Sequence, residues 1–157
     1  QAFLIKKVLA PHNIPLIIND RVDVALAVDA DGVHIGQSDM PYSIVRRLLG
    51  YEKIIGLSVE NIEQVHQANT LDVDYIGISP VFSTPTKTDT ALPFGLEGVK
   101  EVMSISKHRA VAIGGINMDN AAQVIKAGAH GVAVVSAICS AQQPREAALK
   151  LKGLIAK

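Results

Sequence analysis

The chain has 157 residues, 48% apolar and 19% charged, and its fifteen basic and fifteen acidic side chains cancel to zero net charge. That suits one domain with a substantial core and argues against disorder. The absence of a basic run makes nucleic acid and anionic membrane surfaces poor partners, no apolar stretch reaches the length of a membrane span, and Cys139 as the sole cysteine excludes an internal disulfide or a cysteine-based zinc cluster.

The opening residues do not read as a secretory signal, so a cytoplasmic enzyme-like domain spanning 1–157 is the expectation. Phe3 to Leu9 reads as the last turns of a helix, with 1–10 as the end of that element. Since the chain begins with Gln1 inside a helix, its front is expected to be missing. Pro11-His12-Asn13 closes the helix, because proline cannot continue one and asparagine favours turns. Pro15-Leu16-Ile17-Ile18 is a short apolar run ending in Asn19-Asp20, and Arg21 to Ala30 reads as a helix. The unit then repeats. Gly32 to Ile35, Lys53 to Val59, Tyr75 to Ser79, Ala110 to Ile113 and Gly131 to Val135 read as strands. Helices follow at Met40–Leu49, Asn61–Asn69, from Gly95, at Met118–Ala127 and at Pro144–Ala156. Between Pro80 and Phe94 lies a loop of about fifteen residues, long for such a connection and therefore a candidate functional segment.

These strands are apolar on both alternating positions, as in parallel strands covered on both faces. Six strand–helix units in regular alternation imply right-handed crossovers and a parallel α/β sheet. An open flavodoxin-like sheet holds about five such units and a (β/α)8 barrel eight. Polar residues gather at the C-terminal end of nearly every strand: Asn19-Asp20, Gln37 to Asp39, Ser58, Thr84 to Lys87, Gly115 and Ser136. An open sheet binds mainly at one switch point, whereas a barrel brings all strand ends to one site. The fold class expected is therefore a TIM (β/α)8 barrel, represented here by six units with the first two strands missing.

The chemistry legible from residue types is anion and metal binding. Asp20 and Asp39 follow consecutive strands, and Mg²⁺ is typically held by one or two carboxylates plus substrate phosphate oxygens. Both aspartates also stand just before helices, where an N-cap role is open. Lys87 offers a point charge to a phosphate, and Thr84 and Thr86 offer hydroxyls. Gly114-Gly115 permits close backbone approach, or simply a tight turn. Ser136-Ala137-Ile138 could form a short helix whose N–H groups face an anion. His34, inside an apolar strand, reads as a satisfied core or rim histidine rather than a general base. No nucleophile elbow, zinc-protease or P-loop motif is present.

Ile17 to Asp23, Ala30 to Asp39, Asp74 to Phe82 with Thr84-Pro85-Thr86-Lys87, Ala112 to Ile116 and Gly131 to Ile138 together resemble the thiamine-phosphate synthase (thiamine-phosphate pyrophosphorylase) family, in its order and spacing. The match corresponds to the C-terminal three-quarters of that family's sequence. The resemblance implies a transferase of thiamine biosynthesis. It would join hydroxymethylpyrimidine pyrophosphate to a thiazole phosphate and release pyrophosphate by an ionisation mechanism. It implies Mg²⁺ on Asp20 and Asp39, with Asn19, Ser58 and Lys87 on the pyrophosphate or pyrimidine. Thr84, Thr86, Gly115 and Ser136 would hold the thiazole phosphate, partly through backbone N–H groups, and Val135 would be a further substrate-binding residue. Lys87 and Ser58 would be the catalytic residues, and the partners small-molecule substrates.

Two departures bear on activity. The family's first strand and the Gln/Arg/Lys motif of its second have no counterpart here, and Ser79 stands where glycine is common. The chain alone is therefore expected to be inactive. Its open edges at 15–18 and 131–135 would pair with an N-terminal segment or with a second copy in a homo-oligomer. A thiazole tautomerase-like relative and an inactive phosphate-ligand-binding domain are the competing readings. The Asp20/Asp39 pair favours the synthase, because a tautomerase has no use for a metal–pyrophosphate site.

Overall fold

The computed structural model describes residues 1–83 and 92–156. In chain order the elements are α1 (Ala2–Leu9), a single 3-10 turn (Ala10–His12), β1 (Ile17–Asn19), α2 (Val22–Ala27), β2 (Gly32–Ile35) and α3 (Tyr42–Leu49). There follow β3 (Ile54–Val59), α4 (Ile62–Ala68), β4 (Tyr75–Ile78), α5 (Gly95–Ile105) and β5 (Arg109–Ile113). The chain ends with α6 (Ala121–Lys126), β6 (Gly131–Ala133), α7 (Ser136–Cys139) and α8 (Pro144–Ile155). The strands form one sheet in the sequential order β1-β2-β3-β4-β5-β6. β1 pairs with β2, β2 with β3 and β5 with β6, all in parallel. A helix between consecutive parallel strands is the crossover that parallel pairing requires.

The chain divides into two compact units, Gln1–Ser58 with Val73–Tyr75, and Val59–Asp72 with Ile76–Lys157. In the first unit β2 is buried at every position, which is why its sequence lacks polar alternation. Gly32 has no alternative there, since a Cβ would lie 2.2 Å from the Ile54 carbonyl oxygen. Val22 and Ala25 of α2 and Val45 of α3 supply the helical side of this core. Arg46 is buried beside Val45. Its guanidinium donates to the Gly50 and Lys53 carbonyls at 3.0 and 2.8 Å and pairs with Asp74 at 3.2 Å. Asp74 also accepts from the Ile55 N–H at 2.8 Å, so one carboxylate ties β3 to the buried cation. α1 buries no residue and leaves Phe3, Leu4, Ile5 and Val8 exposed. Lys6 tethers it, donating to the Val28 carbonyl at 3.1 Å and pairing with Asp29.

In the second unit Val65, Ile76, Ile78, Val99, Val102 and Val124 are fully buried. Asn61 caps α4 by accepting from the Gln64 N–H at 2.9 Å, and the Gln64 side chain accepts in turn from Glu60 N–H. Two helices are shorter than their apolar patterns predict. The helix expected over 21–30 stops at Ala27, and Asp29 takes a left-handed φ of 49°. The helix expected from Met118 starts at Ala121. There Asn120 accepts from the Asn117 N–H and Asn117 from the Asp119 N–H, a local arrangement that competes with helical hydrogen bonding. The strand expected to reach Val135 closes at Ala133, and the short helix expected at Ser136 forms.

Candidate functional site

Parallel register aligns the first unit's strands near their C-terminal ends. Asn19 stands opposite His34, and His34 opposite Gly56. The Asp20 N–H donates to the His34 carbonyl at 2.8 Å, extending the β1–β2 ladder by one residue before the chain turns. Asp20 makes that turn at φ 62°, a left-handed conformation that aspartate tolerates better than most residues. Beyond β2, residues 36–39 form a turn in which Asp39 Oδ2 accepts from the Gly36 N–H at 2.7 Å. The N-cap reading of both aspartates is overturned. The residues capping α2 and α3 are Arg21 and Pro41, and neither helix has a side-chain cap.

Ser58, near the end of β3, is held from two sides. Its hydroxyl lies 2.9 Å from His34 Nε2, and its carbonyl accepts from the Gln37 side chain at 2.5 Å. The other His34 ring nitrogen, Nδ1, lies 3.0 Å from the Tyr75 hydroxyl. The two rings stack at 5.4 Å between centroids. Burial pushes the His34 imidazole below its ordinary pKa, with Asp39 pulling the other way, and burial followed by Asp74 raises that of the Tyr75 phenol. His34 is thus the satisfied, buried histidine that its apolar strand suggests, and it supports Ser58 as well. Gly56 creates the space for this, since a Cβ there would fall 2.2 Å from Tyr75 Cζ and 2.5 Å from His34 Nδ1. Sequence reasoning missed Tyr75, Gln37 and Gly56 as parts of the arrangement. A glycine inside an apolar strand was the available signal, because it marks a close approach.

Within the second unit, Gly114 and Gly115 follow β5 at φ 97° and 64°. A Cβ on Gly114 would lie 2.8 Å from Pro80 Cβ, and one on Gly115 would lie 2.7 Å from Phe82 Cβ. Phe82 N–H donates to the Gly114 carbonyl and Val81 N–H to the Ile113 carbonyl. The close approach these glycines permit is therefore to the chain's own 80–83 segment. Asn120 donates to the Gly115 carbonyl at 3.0 Å and holds the turn. Val135 and Ser136 open α7, whose first N–H groups have no intrahelical acceptor. Thr84, Thr86 and Lys87 lie outside the described residues.

The first unit places Asn19, Asp20, Asp39 and Ser58 at or just after the C-terminal ends of β1 to β3, and the second places Gly115, Val135 and Ser136 after β5 and β6. Among the described residues no group of three or more histidine, cysteine or acidic side chains could hold a metal. A Mg²⁺ ion completed by substrate needs only one or two carboxylates from the protein. Asp39 suits the task. The Gly36 N–H fixes one carboxylate oxygen, and Oδ1 accepts no hydrogen bond among the described residues. No helix among the described residues is long and apolar enough to cross a membrane.

Comparison with known proteins identifies the family. The family model described as thiamine monophosphate synthase matches residues 1–138. The chain is 58% identical over 155 residues to a thiamine-phosphate synthase of Albidiferax ferrireducens, covering 99% of this chain and 71% of that protein. It is 54% identical to one of Vibrio campbellii, covering 99% and 76%. The solved thiamine phosphate pyrophosphorylase of Pyrococcus furiosus superposes with a TM-score of 0.90 at 38% identity, over 98% of this chain and 73% of that one. The fold is accordingly that of the α/β TIM-barrel class expected from the strand ends, represented by six strand–helix units. With a family match across 138 residues and relatives above half identity over nearly its whole length, this chain belongs to the thiamine monophosphate synthase family.

Proposed function

We propose that the chain supplies the metal- and phosphate-binding machinery of a transferase that makes thiamine phosphate from a pyrimidine methyl pyrophosphate and a thiazole phosphate. The carbon–oxygen bond to pyrophosphate breaks, and the thiazole nitrogen forms the new bond to the pyrimidine methylene carbon. Asp20 and Asp39 would hold Mg²⁺. When bound, that ion supplies positive charge against the oxygens of the departing pyrophosphate. Asn19 and Ser58, at the ends of β1 and β3, bind and orient the pyrimidine pyrophosphate. Gly115, Val135 and Ser136 offer backbone N–H groups to the thiazole phosphate. Lys87 is assigned to the pyrophosphate charge, and Thr84 and Thr86 to the thiazole phosphate, on sequence alone.

The described site offers no side chain poised as a nucleophile, and His34 has both ring nitrogens engaged. A reaction driven by leaving-group departure needs neither. The protein's contribution is to place the two rings and to stabilise charge. The observation that carries the reading is the Asp20/Asp39 pair in the turns that follow neighbouring strands, with the Asp39 carboxylate oriented by Gly36 N–H rather than spent on a helix cap. It also favours the synthase over a tautomerase, for which two carboxylates at a pyrophosphate site are superfluous.

The test is calorimetry and turnover on the intact protein. Mg²⁺ should bind weakly alone and much more tightly with pyrophosphate present. Asp20→Asn and Asp39→Asn, which keep the left-handed backbone of Asp20 and an acceptor for the Gly36 N–H, should abolish that coupling and cut condensation by at least about a hundredfold, with the melting temperature little changed. Normal turnover in either variant would remove that aspartate from the site.

A further inference from the structure

We propose that Tyr75, His34 and Ser58 form a directed hydrogen-bond chain. The Tyr75 hydroxyl donates to His34 Nδ1, His34 Nε2–H donates to Ser58 Oγ, and the Ser58 proton is left to donate to the pyrimidine substrate. This deepens the functional reading above and rests on its assignment of Ser58 to that substrate. The geometry admits only two arrangements. Both ring nitrogens lie within hydrogen-bond distance of a hydroxyl, 3.0 Å to Tyr75 and 2.9 Å to Ser58. A neutral imidazole has one donor nitrogen and one acceptor. Either tyrosine donates and serine accepts, or the reverse.

The hydroxyls are not equivalent. A phenol, with a pKa near 10, is a stronger donor than an aliphatic alcohol. Its oxygen is also the poorer acceptor, because a lone pair is delocalised into the ring. The stable arrangement puts the phenol proton on the bare ring nitrogen and turns Nε2–H toward serine. If the ring took up a second proton, Nε2–H would still donate to Ser58, so the serine's direction does not depend on His34 charge. A serine hydroxyl has one proton and two lone pairs. Once a lone pair accepts Nε2–H, the proton must find another acceptor. Among the described residues Ser58 Oγ has no hydrogen-bond partner besides His34. In the opposite arrangement that proton would be spent on the imidazole, and the substrate would meet only lone pairs.

The surroundings hold the chain in place. His34 is 8% exposed, within a strand buried at every position. Its ring stacks on Tyr75 with 28° between planes, and Gly56 leaves the room in which they meet. Gln37 fixes the Ser58 backbone through its carbonyl. Tyr75 and His34 are thus positioning residues that act through Ser58.

The test combines nitrogen NMR with kinetics on the intact protein. With ¹⁵N-labelled histidine and the ligand-free protein, the signals lost in His34→Gln identify the ring. The expected state has Nε2 protonated and Nδ1 an acceptor. Tyr75→Phe keeps the stack and removes the donor, so Nδ1 should move toward the value of a free acceptor nitrogen. The same variant should raise KM for the pyrimidine pyrophosphate about two- to tenfold, the worth of one ordinary hydrogen bond. In a Ser58→Ala background it should add nothing, because the two act in series. A wild-type His34 protonated on Nδ1 alone would overturn the chain, as would a Tyr75→Phe effect undiminished in Ser58→Ala. If Ser58→Ala leaves KM unchanged while the NMR is as expected, the use of the serine proton is overturned together with the assignment of Ser58 to the substrate. The NMR thereby separates failure of the chain from failure of the functional reading.

Discussion

Replacing Gly56 by alanine tests the first unit's strand-end architecture without touching any group assigned to substrate. The added methyl would sit 2.2 Å from Tyr75 Cζ and 2.5 Å from both Tyr75 Oη and His34 Nδ1. Carbon atoms in comfortable contact lie about 3.5–4.0 Å apart, so the rings must separate by more than about 1 Å. His34 sits in a strand buried at every position and cannot retreat, so Tyr75 must. Overpacking of this kind costs about 1–3 kcal/mol. Losing the hydrogen bond to a ring nitrogen that stays buried costs about 1–3 kcal/mol more. Restricting the unfolded chain returns roughly 0.4–1 kcal/mol. The net loss, about 2–5 kcal/mol, is a large share of the roughly 5–15 kcal/mol that holds a typical domain. At about 2–4 °C per kcal/mol for a chain of this size, the melting temperature should fall by about 4–20 °C. Gly153 is the control. It lies within α8 with nothing inside 4 Å of an added Cβ, so alanine there should stabilise by about 0.5–1 kcal/mol. Urea denaturation of the two variants beside the parent decides the matter. A Gly56→Ala protein as stable as Gly153→Ala would refute the packing argument and the His34–Tyr75 contact with it.

Two further outcomes follow from the first unit. Arg46→Met should cost about 3 kcal/mol in urea denaturation, since the Gly50 and Lys53 carbonyls lose a charged donor, and Arg46→Lys should restore little because one ammonium cannot reproduce the fork; full rescue by lysine would show that charge alone matters. Asp29 lies between Lys53 and Lys6, and its hydrogen bonds to them, Lys53 first, hold its carboxyl below the usual pKa. A depressed carboxylate pKa contributes stability above its unfolded value of about 3.9 that is lost as pH falls through the folded value. Asp29→Asn should therefore lower the urea midpoint at neutral pH, and the difference should vanish in acid and shrink in about 1 M salt. A pH-independent difference would show that the carboxylate's charge is not what stabilises, since asparagine tolerates the left-handed φ of 49° as well as aspartate does.

The apolar runs carried most of the fold because strands buried on both faces have no polar residues to interrupt them. The Gly32–Ile35 run coincides with β2, and the other strands end within two residues of their apolar segments. Helix ends were legible only where no side chain competed with the backbone. The Asn117–Asn120 cluster makes its own hydrogen bonds and delays α6 by three residues relative to the apolar pattern. Periodicity records which face is apolar and is blind to such local competition, which residue identity announces.

The site was legible in a different way. Asp20 and Asp39 stood out as carboxylates after consecutive strands, but their alternative use as helix caps could be rejected only from backbone geometry. One depends on where α2 begins, the other on a 2.7 Å bond from Gly36. The support for Ser58 was not legible at all. His34, Ser58 and Tyr75 are 24 and 41 residues apart in their two contacts, and what joins them is the β2–β3 register that sets His34 opposite Gly56. A strand register is a property of the pairing and not of either segment, so no window along the chain contains it. Gly56 was the only local trace. It sits in the middle of β3, where a β-branched residue would serve the sheet better, and its missing side chain is what lets an imidazole and a phenol meet behind a serine. The strand gives up side-chain packing at one position, and in exchange Ser58 at its end is held in a fixed orientation.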